Sequence, residues 1–448
     1  MSKAAFAFAN PTYTADNFYT YSASDIRADA KLRATQIIEP VPAPRVDPPV
    51  MDLGTVLPAS TLAQIQAAGR LVFHSVGDTG GIIRPEPQLA VADALTADLT
   101  NKTFATGLPA FFYHLGDVVY YFGQELYYPE QFYDPYRNYD APIFAIPGNH
   151  DGVMYSREPV SYSLQPFVDN FCTATSQVAV PSFARTTMTQ PGVYFTLTAP
   201  FARIIGLYSN TGESAGVLSD PKIGTEQVDF LRSQLAAVLA ARKADPNNRN
   251  PQALIVAVHH PPFTGSSQHF PSAGMLKEID TCCQQAGIWP DLLLSGHAHL
   301  YERYTRTMHA DGRQIPYVVA GNGGYYNLPG LKRGPNGSKP TPGAHTEPDG
   351  LGNTISLDQY NDTDYGFLRI TVSADAIQVE ALAVTPPASA GNAPPTVHPI
   401  DTFTVDLAAH TVGGLSVSAR KATGLHLAAD KPSSKKPGPH RGGARTKR

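Results

Sequence analysis

Cysteine is scarce in this chain of 448 residues, which contains Cys172, Cys282 and Cys283 and no other. An odd number of cysteines with two of them adjacent does not form a disulfide framework, and none of the spacings is the CxxC spacing of a zinc site. The sequence therefore excludes a fold held together by disulfides. We predict three free thiols that are buried or half-buried, because unpaired cysteine behaves as a small apolar residue.

Long hydrophobic runs are also absent. The apolar run Ala253–Val258 is far too short to cross a bilayer, which takes about 20 residues. Near the N-terminus a single lysine precedes an apolar patch that Asn10 and Pro11 interrupt, and this is a poor signal peptide. We expect a soluble protein without a membrane span, either cytoplasmic or exported by a non-standard route.

Charged residues are few, at 16%, and they are unevenly distributed. Residues 420–448 carry nine Lys or Arg and one acid, Asp430, so their net charge is +8 and that of the remaining chain is −12. The segment is rich in Pro, Gly and Ser, which predicts a basic disordered tail. Such a tail can meet an anionic surface or the acidic body of its own chain, but a solvated tail is the commoner case. We predict no specific nucleic-acid partner.

Proline density separates the first part of the chain from the rest. Glu39–Pro58 is dense in proline, so residues 1–69 are predicted to form an irregular N-terminal extension. Short apolar runs then recur from residue 70 to about residue 388. We predict a main domain over 70–388, a C-terminal extension that packs on it over 389–419, and the basic tail over 420–448. The sequence indicates no oligomeric state.

The main domain contains both strand and helix patterns. Val193–Thr198 with Ala202–Asn210, and likewise Gly366–Val384, are typical of β-hairpins. Apolar residues at helical spacing predict helices over Thr225–Ala244 and Pro87–Leu99. Strands alternating with helices predict an α/β layered domain.

Two long stretches lack a clear period. Residues 152–192 and 325–362 show neither strand alternation nor helical spacing. We predict that they form loops over a site or small insertions.

Several apolar runs end in residue types that bind metals. In an open α/β sheet, ligands bind beyond the carboxyl ends of the strands, so side chains that follow different strands meet in one crevice. Carboxylates, an amide oxygen and imidazoles together suit a pair of first-row metal ions, and the absence of cysteine from the set disfavours structural zinc and iron–sulfur clusters. The runs end in Gly77-Asp78, Gly116-Asp117, Gly148-Asn149-His150-Asp151, His259-His260 and Gly296-His297-Ala298-His299.

The ordered series GD, GD, GNHD, H and GHxH resembles the calcineurin-like metallophosphoesterase superfamily, over about residues 70 to 385. The resemblance implies a four-layer α/β/β/α sandwich with two mixed sheets flanked by helices. It also implies a metal-dependent hydrolase that acts on a small phosphoester substrate.

The first two motifs narrow this resemblance. The wider superfamily carries a metal-binding histidine two residues after the first aspartate, where this chain has Gly80 in Asp78-Thr79-Gly80. Tyr120, three residues after Asp117, is a candidate replacement. This exchange is similar to purple acid phosphatases, in which a phenolate binds ferric iron. The alternative is that Tyr120 is an ordinary aromatic residue at a strand end. Its spacing from Asp117, together with Gly80 in place of the histidine, disfavours that alternative.

The resemblance implies a division of the ligands between two metals that share Asp117. Fe(III) is expected at the Tyr120 site, and Fe, Zn or Mn at the other. Purple acid phosphatases hydrolyse phosphomonoesters with a metal-bound hydroxide, which implies an acid phosphatase here. The first metal would be held by Asp78, Asp117, Tyr120 and His299, and the second by Asp117, Asn149, His259 and His297.

Two further histidines are expected to act on the substrate. The resemblance assigns His150 to transition-state stabilisation or leaving-group protonation. His269 lies where the family often has another substrate histidine. We expect His297 and His299, two residues apart at a strand end, to reach different metals, and we predict a local ion pair between Glu302 and Arg303.

Other functions remain open from the sequence. A phosphodiesterase or nucleotidase of the same superfamily is the nearest alternative, and a non-catalytic metal-dependent binding scaffold is another. A serine/threonine protein phosphatase is disfavoured, because its second motif continues with D-R-G where this chain has VVYYFG.

Overall fold

A computed structural model describes most of the chain but not its two ends. The predicted basic tail over 420–448 and the beginning of the N-terminal extension lie outside the described residues. The described residues are 27–28, 30–31, 33–37, 39–152, 154–155, 164–179, 185–210, 214–244, 252–334, 336–386 and 394–414.

The described chain folds into strands, helices and short turns of tighter or wider helix. The helices are α1 (Ala59–Ala67), α2 (Glu86–Leu99), α3 (Gln165–Phe171), α4 (Glu226–Ala244) and α5 (Ala273–Ala286). Single 3-10 turns lie at Leu53–Thr55, Phe104–Thr106 and Glu125–Tyr127, and a π-helical turn lies at Pro129–Tyr133. The strands are β1 (Gln36–Ile37), β2 (Val50–Asp52), β3 (Arg70–Val76), β4 (Phe112–His114), β5 (Ile143–Ala145), β6 (Met154–Tyr155), β7 (Phe195–Ala199), β8 (Ala202–Gly206), β9 (Ala253–Ala257), β10 (Leu292–Ser295), β11 (Tyr301–Thr307), β12 (Gln314–Ala320), β13 (Thr346–Pro348), β14 (Thr354–Asn361), β15 (Tyr365–Ser373), β16 (Ala376–Thr385), β17 (Thr396–Asp406) and β18 (Thr411–Gly413).

Two large mixed sheets contain almost all of these strands. The seven-stranded sheet has the order β18-β17-β16-β15-β3-β4-β5, with β3, β4 and β5 parallel to one another. The nine-stranded sheet has the order β13-β14-β11-β12-β10-β9-β8-β7-β2, with β8, β9, β10 and β12 parallel. A small antiparallel pair joins β1 to β6.

The two large sheets pack face to face, with helices on the outer faces. Because side chains alternate along a strand, Tyr113 and Ile255 lie in the core between the sheets, whereas Phe112 and Val256 lie in the outer cores. Helix α2 packs on β15 and β16, and α4 packs on α5. The fold is therefore the predicted α/β arrangement of two mixed sheets flanked by helices.

The local predictions are confirmed where the pattern was strong. β7 with β8 and β15 with β16 form the two predicted antiparallel hairpins, and α4 and α2 are the two predicted helices. The three cysteines are free and buried, as predicted. No helix in the described ranges is both long and apolar enough to cross a membrane.

Other segments differ from the predictions. The proline-dense region contributes β2, which pairs in parallel with β7 at the edge of the nine-stranded sheet. The stretch 325–362 is not all loop, because β14 pairs along the whole length of β11. Its polar residues Asp358, Gln359 and Asn361 hide the alternation, although burial does alternate along the strand. The division into domains stays a prediction, although β17 does pair with β16.

Candidate metal centre

The predicted ligands follow the ends of five strands that belong to both sheets. β3, β4 and β5 of the seven-stranded sheet lead to Asp78, Asp117 and Asn149. β9 and β10 of the nine-stranded sheet lead to His259 and His297. These residues, with Tyr120 and His299, are at most 2% exposed. The centre therefore lies in the crevice where the two sheets meet.

The backbone at this crevice is unusually constrained. Asp78, Asp117 and His297 have positive φ angles of 57°, 55° and 65°, a conformation that costs non-glycine residues about 1–3 kcal/mol each. Gly148 and Gly296 allow the loops to approach closely. A Cβ at Gly296 would lie 2.6 Å from Asp78 Oδ2, and one at Gly148 would collide with Asp117. Strain of this kind is typical of functional sites.

Two overlapping groups of side chains are placed to hold metal ions. The first contains Asp78, Asp117 and His299, and the second contains Asp117, His259 and His297. Within each group the ligand atoms lie within 4.8 Å of one another. Asp117 belongs to both groups, and His297 and His299 fall into different ones.

Tyr120 reaches the first group. Its hydroxyl oxygen lies 3.3 Å from Asp78 Oδ1 and 3.4 Å from His299 Nε2. Burial, together with the charges of Asp117 and Asp78, raises the pKa of the phenol well above its usual value. A bound cation would oppose this shift, because it stabilises the phenolate. Gln131 fixes the residue by hydrogen bonds to both its N–H and its carbonyl.

Asn149 reaches the second group. Its Oδ1 lies 3.0 Å from His259 Nε2 and 2.9 Å from His297 Nδ1. The Nδ1 of His259 faces the carbonyl oxygen of Leu115 at 2.8 Å and is placed to donate to it. In the neutral imidazole this leaves Nε2 as a lone pair that faces the amide oxygen, which suits a cation between the two atoms.

The charges of the centre also fit metal ions. Oδ2 of Asp117 is buried, and no group in the described part of the chain donates a hydrogen bond to it. Burial opposes protonation of His259, yet Asp117 and Asp78 outweigh burial and raise its pKa to about 9. A buried carboxylate oxygen without a donor, beside an imidazole whose pKa is raised, indicates that the centre lacks positive charge. Divalent or trivalent cations would supply it, so the donor set fits a dinuclear site.

His150 lies beside Asp117 and Tyr120. Its backbone N–H donates to Asp117 Oδ1 at 2.8 Å, and its Nδ1 is 2.9 Å from the carbonyl oxygen of Tyr121. The ring lies 4.5 Å from that of Tyr120, and Nε2 is 4.0 Å from Asp117 Oδ2. The Tyr121 carbonyl thus orients the ring so that Nε2 is directed at the centre.

His269 lies beside the two histidines of the last motif. Its ring centroid is 4.5 Å from that of His297 and 5.0 Å from that of His299. Burial and the neighbouring histidines lower its pKa well below the ordinary value. The structure therefore brings together all nine residues that the sequence singles out.

The profile of one protein family, described as calcineurin-like phosphoesterase, matches residues 75–301, about half of the chain. The chain belongs to the calcineurin-like phosphoesterase family. No curated protein matches it. The family implies a dinuclear metal site, and the two overlapping ligand groups are where this phosphoesterase would hold one.

Solved structures similar to this phosphoesterase are distant. GAP50, the anchor in the inner membrane complex of Plasmodium, is 14% identical with a TM-score of 0.45, and the match covers 74% of this chain and 88% of that one. PhoD is 11% identical with a TM-score of 0.45, covering 84% and 73%. A predicted phosphoesterase from Streptococcus pneumoniae is 9% identical with a TM-score of 0.26, covering 74% and 98%.

The structure places His297 and His299 just beyond a strand end, because β10 ends at Ser295 and the positive φ of His297 turns the chain. One expectation about the last motif of this phosphoesterase needs correction. The prediction of an ion pair between Glu302 and Arg303 is wrong, because neighbouring residues on a strand face opposite sides of the sheet. Arg303 pairs instead with Asp401 at 2.6 Å.

Two supporting residues, Asp151 and Tyr325, lie beside the proposed ligands, and the sequence motifs include Asp151 but not Tyr325. Asp151 accepts hydrogen bonds from the N–H groups of Val118, Val119 and Gly148, so it ties the loop after β4 to the loop after β5. Burial and the charge of Asp117 raise its pKa to about 7. The ring of Tyr325 lies 4.3 Å from that of Tyr120. Tyr325 follows the glycine-rich segment after β12, and that segment is the signal that could have identified it.

Proposed function

We propose that this phosphoesterase is an acid phosphatase of the purple acid phosphatase type, a hydrolase of small phosphomonoesters. The observation that carries the proposal is the position of Tyr120. A Cβ at Gly80 would lie 2.6 Å from Tyr120 Cδ2, so the phenol ring fills the space of the missing side chain and sets its hydroxyl beside Asp78 and His299. That is the exchange of histidine for tyrosine expected of this type.

We divide the proposed ligands between two metal positions, as the sequence suggests. When bound, the two ions would supply Lewis-acid activation of water and neutralise the charge of the phosphoryl group. Fe(III) is proposed for the Tyr120 position, because a phenolate is a hard anionic ligand, and Fe, Zn or Mn for the other. The first position takes Asp78, Asp117, Tyr120 and His299, and the second takes Asp117, Asn149, His259 and His297.

The remaining residues act on the substrate. His150 is oriented by the Tyr121 carbonyl, and as an imidazolium it would donate from Nε2 to a phosphoryl oxygen or to the leaving oxygen. His269 would face the same phosphoryl group from the opposite side. Both rings are almost fully buried, so each hydrogen bond would form away from bulk water and be stronger than an exposed one. The proposed catalytic domain is 70–388.

Turnover tests the enzyme directly. The metal-loaded protein should hydrolyse a generic phosphomonoester at acidic pH, and a chelator should abolish the activity. Faster turnover of a phosphodiester would favour the phosphodiesterase or nucleotidase alternative. If the metal-loaded protein hydrolysed neither ester, it would be a binding scaffold and the enzyme proposal would fail.

Visible absorption tests the type. A phenolate bound to ferric iron gives a visible charge-transfer band, and Tyr120→Phe should bleach it. Tyr121→Phe is the matched control: it removes a neighbouring hydroxyl but keeps the carbonyl that orients His150, so the band should persist. A band that survives in Tyr120→Phe would remove Tyr120 from the metal site.

A further inference from the structure

Glu302 is a buried carboxylate outside the metal ligands. It lies on β11, three residues after His299, and is 0% exposed. Its Oε2 accepts from Thr264 Oγ1 at 2.7 Å, and its Oε1 accepts from the Gly265 N–H at 2.8 Å and from Tyr304 Oη at 2.7 Å. Taking a carboxylate out of water costs several kcal/mol, and these three donors offset that cost.

The donors connect Glu302 to the loop that carries His269. Thr264, whose hydroxyl binds Glu302, accepts from the Ser266 N–H at 3.0 Å. The hydroxyl of Ser266 then accepts from the N–H groups of Gln268 at 3.2 Å and His269 at 3.3 Å. A continuous series of hydrogen bonds therefore runs from the carboxylate to the backbone of His269.

The loop over residues 327–332 also holds the segment that carries His269. The Ser267 N–H donates to the Gly330 carbonyl, and the Lys332 N–H donates to the Gly265 carbonyl. The side chain of Asn327 donates to Gln268 at 3.1 Å. Because the loop of His269 is fixed by these three contacts and by Glu302, its position beside the metal centre depends on all four.

We infer that Glu302 is a positioning residue for His269. It holds Thr264 and Gly265, and through Ser266 it sets where the imidazole stands against His297 and His299. The inference rests on the proposed function, since it takes His269 to contact the phosphoryl group. Arg303 plays no part, because it faces the other side of β11 and binds Asp401.

A double-mutant cycle tests the inference, with inorganic phosphate as the probe. Glu302→Ala should weaken phosphate binding to the metal-loaded protein by about 10-fold or more, as is typical when a supporting partner is lost. In a His269→Ala background the same change should cause no further loss, because Glu302 acts through His269. An equal loss in both backgrounds would overturn the inference.

A matched pair of tyrosines separates positioning from general destabilisation. Tyr304→Phe removes a hydroxyl that donates to Glu302 at 2.7 Å, and Tyr301→Phe removes one that donates to Asp401 at the same distance. Both tyrosines are buried on β11. Tyr304→Phe should weaken phosphate binding and Tyr301→Phe should not, and equal effects would overturn the inference.

The outcomes remain separate from those of the proposed function. If Glu302→Ala does not fold, the Tyr304→Phe cycle with His269→Ala replaces it and is judged in the same way. Phosphate affinity is measured by calorimetry without turnover. Absence of hydrolysis by the wild-type protein would therefore refute the proposed function and leave the coupling between Glu302 and His269 measurable.

Discussion

The ring of Tyr120 lies where a side chain on residue 80 would have to lie, so Gly80 and Tyr120 share one space. A Cβ at Gly80 would be 2.6 Å both from Tyr120 Cδ2 and from Gln131 Oε1, closer than real Cβ atoms come to neighbours. Gln131 in turn bonds both backbone groups of Tyr120. The absence of a side chain at one position and the presence of a phenol at the other are therefore a single structural feature.

Gly80→Ala should displace Tyr120 and weaken the first metal position. Overpacking of this kind costs about 1–3 kcal/mol of stability, and the visible band should fall with the phenol's displacement. Gly274→Ala is the control, because nothing lies within 4 Å of the Cβ it would add on α5. Absorption titrated with iron measures the effect. An unchanged band in Gly80→Ala would mean that the two positions do not compete for space.

His297→Ala and His299→Ala should each lose a different metal. His297 belongs to the group with His259, and His299 to the group with Asp78, while Asp117 serves both. Metal content measured after loading with iron and zinc should therefore show that each variant keeps one ion and loses the other. If both variants lost the same ion, the proposed division of ligands would be wrong.

Asp151→Ala should lower stability and metal affinity together. It removes the acceptor for the N–H groups of Val118, Val119 and Gly148, and each buried donor left unsatisfied costs about 1–3 kcal/mol. Asp406→Ala is the control, since it removes similar bonds to two backbone N–H groups at an exposed turn. Denaturant unfolding and metal titration measure the two effects. Normal metal affinity in Asp151→Ala would show that the loops keep their positions without it.

Asp98 should contribute stability that depends on pH. Burial opposes its ionisation, but hydrogen bonds from His74 and Lys102 and the charge of Arg369 outweigh burial and hold its pKa well below the usual value. Its contribution is therefore present above the unfolded pKa of about 4 and is lost as pH falls towards the folded pKa.

Asp98→Asn should accordingly reduce the free energy of unfolding by on the order of 1 kcal/mol at pH 7, a figure discounted because the group is partly exposed. The difference from wild type should shrink below about pH 4. Asp134→Asn, which breaks an exposed pair with Arg137, should change stability little at either pH. A deficit for Asp98→Asn that grew at low pH would reverse the assigned sign.

The sequence predicted the fold where apolar periodicity was strong. α4 and α2 carry apolar residues at helical spacing, and the β7–β8 and β15–β16 hairpins alternate cleanly, so local patterns sufficed. β14 was not predicted, because its exposed side carries polar residues and its pairing partner, β11, lies about 50 residues earlier in the chain. β2 was not predicted either, because its neighbourhood is rich in proline and it forms a strand only by pairing with β7.

The sequence predicts the proposed ligands and substrate histidines of the candidate site, but not their geometry. The order of the motifs identifies these residues because glycine, aspartate and histidine at strand ends form a recognisable pattern, whereas Tyr325 lies outside every motif. The positive φ of His297 and the roles of Asp151 and Glu302 were not predictable. Each depends on loops that are distant in sequence and adjacent only in the folded chain.

The proposed ligands come from opposite sheets: Asp78 and Asp117 follow strands of one, and His259 and His297 follow strands of the other. Bound ions would thus link the two sheets of the sandwich. The spacing between the sheets depends on the apolar residues packed between them, such as Phe111. A methylene added or removed there would change the distance between the two sets of donors, and with it the affinity for metal, although no ligand is altered.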